Sequence, residues 1–279
     1  MNPSEKVILG TCIFSITLLA LLYGQIVWEI TINGLPRLSW NWFTQAPANA
    51  GLQGGISSIL ISTMLIICVS LITATPVALA IAINLSEIPA THSRGISFLR
   101  ASLDLLASIP SIVYGLFGYA FFVILCKLGF SLLSGGLTLA CMILPLLARL
   151  FEDRLKEIPI AHFQSARACG MHQWQIYFFV LLPSISRGLI GSIILALSRA
   201  LSETAALVYT AGYVDRMPST LSDSGRSLSV HILDLSMNVP GGNQNSYASA
   251  LTLLLLLLFI NSSALWMGNQ KSNQERIKV

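Results

Sequence analysis

Charge is what this sequence has least of. Twelve acidic and sixteen basic residues make up 10% of the chain, against roughly a quarter in an average soluble domain, so water cannot be its main solvent. Residues that build catalytic or metal centres are equally thin. The four histidines, His92, His162, His172 and His231, are dispersed, and no metal-ligand or phosphate-loop motif accompanies them. Without a Walker A sequence, any ATP used must be hydrolysed by another chain. The five cysteines (Cys12, Cys68, Cys126, Cys141, Cys169) show neither C-x-x-C nor Cys/His ligand spacing, and they read as small apolar packing residues. No connection between the apolar segments is long enough to hold a soluble enzyme domain.

What the sequence does have is apolar length, with 54% hydrophobic residues. A helix needs about 20 such residues to cross the hydrocarbon core. Segments 7–28, 56–83, 105–126, 128–148 and 248–267 meet that requirement, and 188–212 would be ordinary but for Arg199 and Glu203 inside it. The expected fold is all-α, a single transmembrane domain over 1–279 with six spans. The first apolar run, 22 residues, exceeds a signal-peptide core of roughly 7–15 and lacks an A-x-A-like cleavage site, so it reads as a retained helix.

Orientation follows from Lys and Arg in the connections. With the N-terminus inside, eleven of the sixteen fall on the cytoplasmic side, while Arg37, Lys127, Arg216 and Arg226 fall outside and Arg199 lies within a span. Both termini are therefore expected in the cytoplasm. The net charge of +4 reflects this topology, and a nucleic-acid partner, which needs a soluble basic face, is not expected. Outside, 29–54 carries Trp40 and Trp42, which suit the headgroup interface. The stretch 213–246 reads as a loop with turns at Pro218-Ser219 and at Pro240 to Asn243, plus a short helix around 228–235.

The long cytoplasmic connection, 149–187, carries the most specific pattern. It reads Gln164-Ser165-Ala166, three residues, Gly170, nine residues, Val180, one residue, Leu182-Pro183. Small residues let a short helix pack closely, and Gly170 can take the left-handed conformation that ends it. A second short helix, about 172–182, would run back to Pro183. Composition alone would equally allow an interfacial hairpin with no partner. The spacing, however, resembles the EAA loop of ABC importer permeases, with Gln164 where that family carries glutamate, so an ion pair there becomes at most a neutral hydrogen bond.

Three further stretches are similar to permease subunits of phosphate ABC importers of the PstA type. They are Ser108 to Phe117, then Arg149, Glu152, Leu155 and Pro159, then Ser198 to Ala206, where Ser202 and Ala206 replace the usual Gly and Pro. The resemblance implies a type I (MetI-like) importer permease in a bacterial inner membrane that carries inorganic phosphate, or as the alternative another oxyanion or small solute. It also implies a homologous second permease subunit, a dimer of ATP-binding subunits seated on Gln164, Ser165, Ala166, Gly170, Leu182 and Pro183, and an extracytoplasmic phosphate-binding protein. Cofactors and catalytic residues are not expected. A secondary transporter commonly shows paired repeats, and none is evident between 1–140 and 141–279. A structural or sensory membrane protein would work without an ATPase encoded beside it.

The candidate substrate path is Arg199, Glu203, Ser111, Ser202 and Thr204. Arg199 and Glu203 lie four residues apart near the middle of the fifth span, on one helical face. Each costs at least ~2.5 kcal/mol at the bilayer centre, so each must be satisfied inside the protein. Two readings stand, a packing ion pair or transport groups: a guanidinium offers two parallel hydrogen bonds to a phosphate oxygen pair, with Glu203 keeping Arg199 from trapping the anion. Pro110-Ser111 in the third span either adds backbone donors or kinks the helix for packing.

Overall fold

The computed structural model describes residues 3–86 and 94–276; His92 and Lys278 lie outside them. The chain opens with α1 (Pro3–Gly34), a short α2 (Trp40–Thr44) and a hairpin of β1 (Pro47–Ala48) and β2 (Gln53–Gly54), antiparallel with Pro47 opposite Gly54. Then come α3 (Ser57–Leu85), α4 (Arg94–Ser108) and α5 (Ser111–Gly118), the last continuing as a π-helical turn over Tyr119–Leu125. α6 (Leu132–Lys156) leads into α7 (Ile160–Ala168), and α8 (Gln173–Gln175) runs through a π-helical stretch, Ile176–Leu181, into α9 (Leu182–Leu201). α10 (Ala205–Val208), α11 (Leu228–Met237) and α12 (Asn243–Arg276) complete the order.

Among the described residues five stretches are long and apolar enough to cross a membrane, and α4 with α5 passes the same test as a pair bent by 98° at its break. The bend corrects the continuous third span expected over 105–126. Pro110 has no N–H and biases Ile109 away from helical geometry, so residues 105–108 belong to α4 and the apolar run restarts at Ser111. The fifth span differs at both ends from the expected 188–212. Helix begins already at Gln173, with Pro183 tolerated in the first turn of α9, and it stops at Leu201.

The core forms where α3 meets α6, with α9 and α12 packed around them. Along α3 every fourth residue is buried, and most are small: Ser58, Ser62, Ile66, Ser70, Ala74, Ala78 and Ala82. Such a stripe lets backbones approach closely, which is how helices associate when lipid is as apolar as leucine. Gly136 of α6 faces it, and a Cβ there would sit 2.6 Å from Val69 Cβ. Several buried hydroxyls are satisfied by the preceding turn, as in Thr63 Oγ1 to the Ile59 carbonyl at 2.6 Å and Thr138 Oγ1 to that of Ser134 at 2.8 Å, whereas Ser62 Oγ has no partner.

At the edge lies α1, exposed at every side chain from 8 to 29. Such a surface suits hydrocarbon. It is pinned at its far end, where Tyr247 Oη donates to Glu29 Oε1 at 2.8 Å and Arg37 donates to Gln244 Oε1 at 3.0 Å. The two tryptophans expected at the headgroup interface part company. Two residues in a helix are about 200° apart, so Trp40 points out while Trp42 packs among Ile56, Ile59, Leu228 and Ala248 and donates Nε1–H to Thr252 Oγ1 at 3.4 Å.

Candidate functional site

The depth of Arg199 can be read from one contact. A Cβ on Gly188 of α9 would lie 2.9 Å from Arg154 Cδ, so the two antiparallel helices α6 and α9 meet at that level. Eleven residues up α9 is Arg199 and eleven back along α6 is Ile143, midway along α6, at the shared rise of about 1.5 Å per residue. Helix α9 therefore ends halfway up α6. Arg199 occupies the last turn of α9, where a cation complements the exposed carbonyls, and Glu203 lies just past the helix end. The expected single helical face is thus replaced by a helix terminus that still brings Arg199 Nη2 within 3.3 Å of Glu203 Oε2. Arg199 is half-exposed and Glu203 buried.

A second interrupted helix reaches the same depth. The α4–α5 break presents Ser111 at the start of α5, and Tyr114 pins the bend by donating its Oη–H to the Leu106 carbonyl at 2.8 Å. Together the two breaks open a cavity of about 350 Å³ lined by Leu106, Ala107, Ile109, Ser111, Tyr114, Met142, Pro145, Leu146, Arg149 and Arg199. At about 30 Å³ per water, that volume holds a small anion with part of its hydration shell. Irregular backbone at membrane depth is tolerated where it lines such a cavity. The cavity unites Ser111 with Arg199. Ser202 and Thr204 are not on its wall: Ser202 Oγ donates to the Ser198 carbonyl at 2.8 Å, and Thr204 starts the turn into α10.

Arg149 shares that wall although its sequence neighbourhood points only to the approach of the hairpin. It pairs with Asp104 of α4 and, through Nη1, with Glu152 Oε2 at 3.1 Å. Glu152 is 1% exposed and also holds Arg100 at 3.0 Å and Lys156 at 2.8 Å, so three cations surround one buried carboxylate and tie α4 to α6.

The 213–246 connection is more ordered than a loop. Arg226 is buried, and it donates to the Tyr213 carbonyl through Nε at 3.0 Å and Nη2 at 2.7 Å, and pairs with Asp234 Oδ2 at 2.9 Å. Its Nη1 also lies 3.1 Å from His231 Nδ1. Burial and then the Arg226 charge push the His231 pKa down to about 4. His231 and Asp234 are three residues apart on α11 behind the Ser227 N-cap, a spacing that sequence reading could have singled out. Nearby, Asp223 accepts from the N–H and Oγ of Ser219, both at 2.8 Å, and from Thr220 N–H at 3.0 Å; these bonds hold its carboxyl well below the usual range. Ser229 Oγ donates to the Glu203 carbonyl at 2.6 Å, joining this connection to the end of the fifth span.

The hairpin of the 149–187 connection has the expected turn. Helix α7 ends at Ala168, and Gly170 has φ +78°, the left-handed conformation that glycine adopts without strain. Gln164 and Ser165 are exposed on α7, Ala166 packs inward with Phe163, Ile176, Tyr177 and Leu181, Leu182 is half-buried and Pro183 exposed. His172 caps the returning limb, its N–H donating to Gln175 Oε1 at 2.8 Å. That limb continues into α9 without the separate helix end expected near Pro183. Trp174 and Phe178, stacked at 6.2 Å, and Phe179 face outward.

Comparison with known proteins places these features in company. The chain is 28% identical to the probable ABC transporter permease YqgI of Bacillus subtilis over 254 residues, covering 86% of each. It is 30% identical to the phosphate transport system permease PstA 2 of Mycobacterium tuberculosis over 248 residues, covering 87% of this chain and 81% of that one. The solved inward-facing MetNI methionine ABC transporter shares the fold, with a TM-score of 0.58 at 20% identity over 75% of this chain and 91% of that one. A family model matches residues 90–270, a segment that takes in the bent third span, the Gly170 turn and the Arg199 helix end alike. The chain belongs to the binding-protein-dependent transport system inner membrane components and is a permease subunit of an ABC importer.

Proposed function

We propose that the imported solute is inorganic phosphate, and that its path runs past Arg199, Glu203 and Ser111, with Ser202 and Thr204 flanking the pair at the end of α9 rather than on the cavity wall. The observation that carries this reading is the cavity at mid-span depth with Arg199 and Ser111 on its wall. Phosphate crossing a bilayer must shed water against something positive, and a guanidinium offers five N–H donors in a fork that matches two phosphate oxygens. Glu203 engages one side of that fork at 3.3 Å and lowers the net charge the anion meets, so binding stays weak enough for release. The first turn of α5 begins at Ser111 on the same cavity wall. The phosphate transport system permeases among the relatives support the same solute.

In this reading both termini are cytoplasmic, the six spans form one transmembrane domain, and a homologous second permease closes the path. A pair of ATP-binding subunits seats on the hairpin through Gln164, Ser165, Ala166, Gly170, Leu182 and Pro183, where the exposed Trp174, Phe178 and Phe179 give an apolar docking surface. Because the returning limb is continuous with α9, motion of the hairpin is delivered directly to the helix that ends in Arg199. An extracytoplasmic phosphate-binding protein supplies the solute from the opposite face. The test is uptake of labelled phosphate, against labelled sulfate, by cells with and without this chain. Loss of phosphate uptake alone is expected on deletion. Loss of sulfate uptake alone would reassign the chain to another oxyanion.

A further inference from the structure

We infer that Arg149 is a second anion-binding cation of the path, on the cytoplasmic side of Arg199, and that Asp104 is the counterion it exchanges for the passing tetrahedral oxyanion. The inference rests on the import reading above and deepens it. Arg199 is level with Ile143, and Arg149 lies six residues further toward the cytoplasmic end of α6, about 9 Å along the axis. Both side chains line the same cavity, so an anion leaving Arg199 meets Arg149 next without crossing a packed layer.

The partners of Arg149 are unequal in the way a relay requires. Glu152 is 1% exposed and held by Arg100, Arg149 and Lys156 together, so it is fixed and its charge is already over-compensated. Asp104 is 67% exposed, and an exposed carboxylate gives up one ion-pair contact at little cost because water replaces it. Arg100, Arg149 and Lys156 are linked through Glu152, and Asp104 joins that set at Arg149. An arriving anion takes the place of Asp104 on the guanidinium fork. The returning carboxylate then expels it toward the cytoplasm by like-charge repulsion and competition for the same N–H donors. No bond is made or broken.

The rival explanation is that the pair only joins α4 to α6. The complete transporter, reconstituted in vesicles with its partner subunits and given labelled phosphate, separates the two. Asp104→Asn is expected to assemble at the normal level, to slow uptake by roughly tenfold, the scale of one charge-assisted contact, and to raise the labelled phosphate retained on the complex. Asp104→Glu should restore uptake. Arg149→Lys keeps the charge without the fork, and it should lower both retention and uptake in an assembled complex. Normal uptake by Asp104→Asn, or a fall in uptake that merely tracks lost assembly, overturns the inference while leaving the phosphate reading intact. Absence of phosphate uptake by the wild-type complex in the same vesicles overturns both.

Discussion

At the scale of single residues, charge decides most. Arg199 and Glu203 are worth keeping at mid-span depth only if something gains from them, since insertion alone disfavours each by at least ~2.5 kcal/mol. Arg199→Gln should therefore assemble, retain its ATPase and lose uptake by roughly 10- to 100-fold, the scale of one or two hydrogen bonds to a charged group. Glu203→Gln in the same chain should not restore it. Recovery of both assembly and uptake in the double variant, with neither single variant assembling, would make the pair structural. His231 gives a prediction of a different kind. Its pKa falls from 6.5 to about 4 in the fold, with Arg226 and Asp234 facing it, so the unfolded chain binds more protons between those values. Stability is complete above about pH 6.5 and declines as pH falls, by about 3 kcal/mol at most near pH 4, where the decline levels off. Thermal unfolding of the purified complex between pH 4 and 7 measures it, and His231→Asn should flatten the dependence.

At the scale of elements, the sequence was most legible where spacing is tied to a backbone requirement. The Gln164 to Pro183 pattern located a turn at Gly170, and Gly170 does have positive φ. Nothing lies within 4 Å of a Cβ built there, so Gly170→Val tests the backbone conformation and the docking surface, with no clash inside the subunit itself. The variant should reach the membrane, lose about 1 kcal/mol or more locally and release or uncouple its ATPase. Normal ATPase retention with normal uptake would remove the hairpin from the coupling role. The two helix breaks were less legible because hydropathy counts apolar residues without regard to continuity. Residues 105–126 carry no Lys, Arg, Glu or Asp on either side of Pro110, so composition runs straight through a bend of 98°. At Ser202 no proline or glycine marks the end of α9; the helix ends where Glu203 turns back to Arg199. For the same reason the sequence places Arg149 at the hairpin's approach, since only the bend brings α4 and α5 beside it.

At the scale of the whole molecule, burial and charge are distributed for two different solvents. The α3–α6 core is sealed by small residues, while α1 leaves its flanks apolar and uncovered, an arrangement that water would penalise and hydrocarbon does not. The count of Lys and Arg in the connections, eleven of sixteen on the side of the 149–187 connection, predicts the hairpin in the cytoplasm and the Arg226 connection outside. The protein carries its own reporter for this. Cys169 is exposed beside the Gly170 turn and has no disulfide partner. With the other four cysteines replaced by alanine, a membrane-impermeant thiol reagent should leave Cys169 unlabelled in intact cells and modify it once the membrane is opened. Ser236 is exposed on α11, so Ser236→Cys in a cysteine-free chain should label in intact cells at once. If Cys169 reacts from outside in intact cells and the Ser236→Cys site does not, the orientation is inverted. The ATPase surface would then lie on the side without ATP, and the import reading would fall with it.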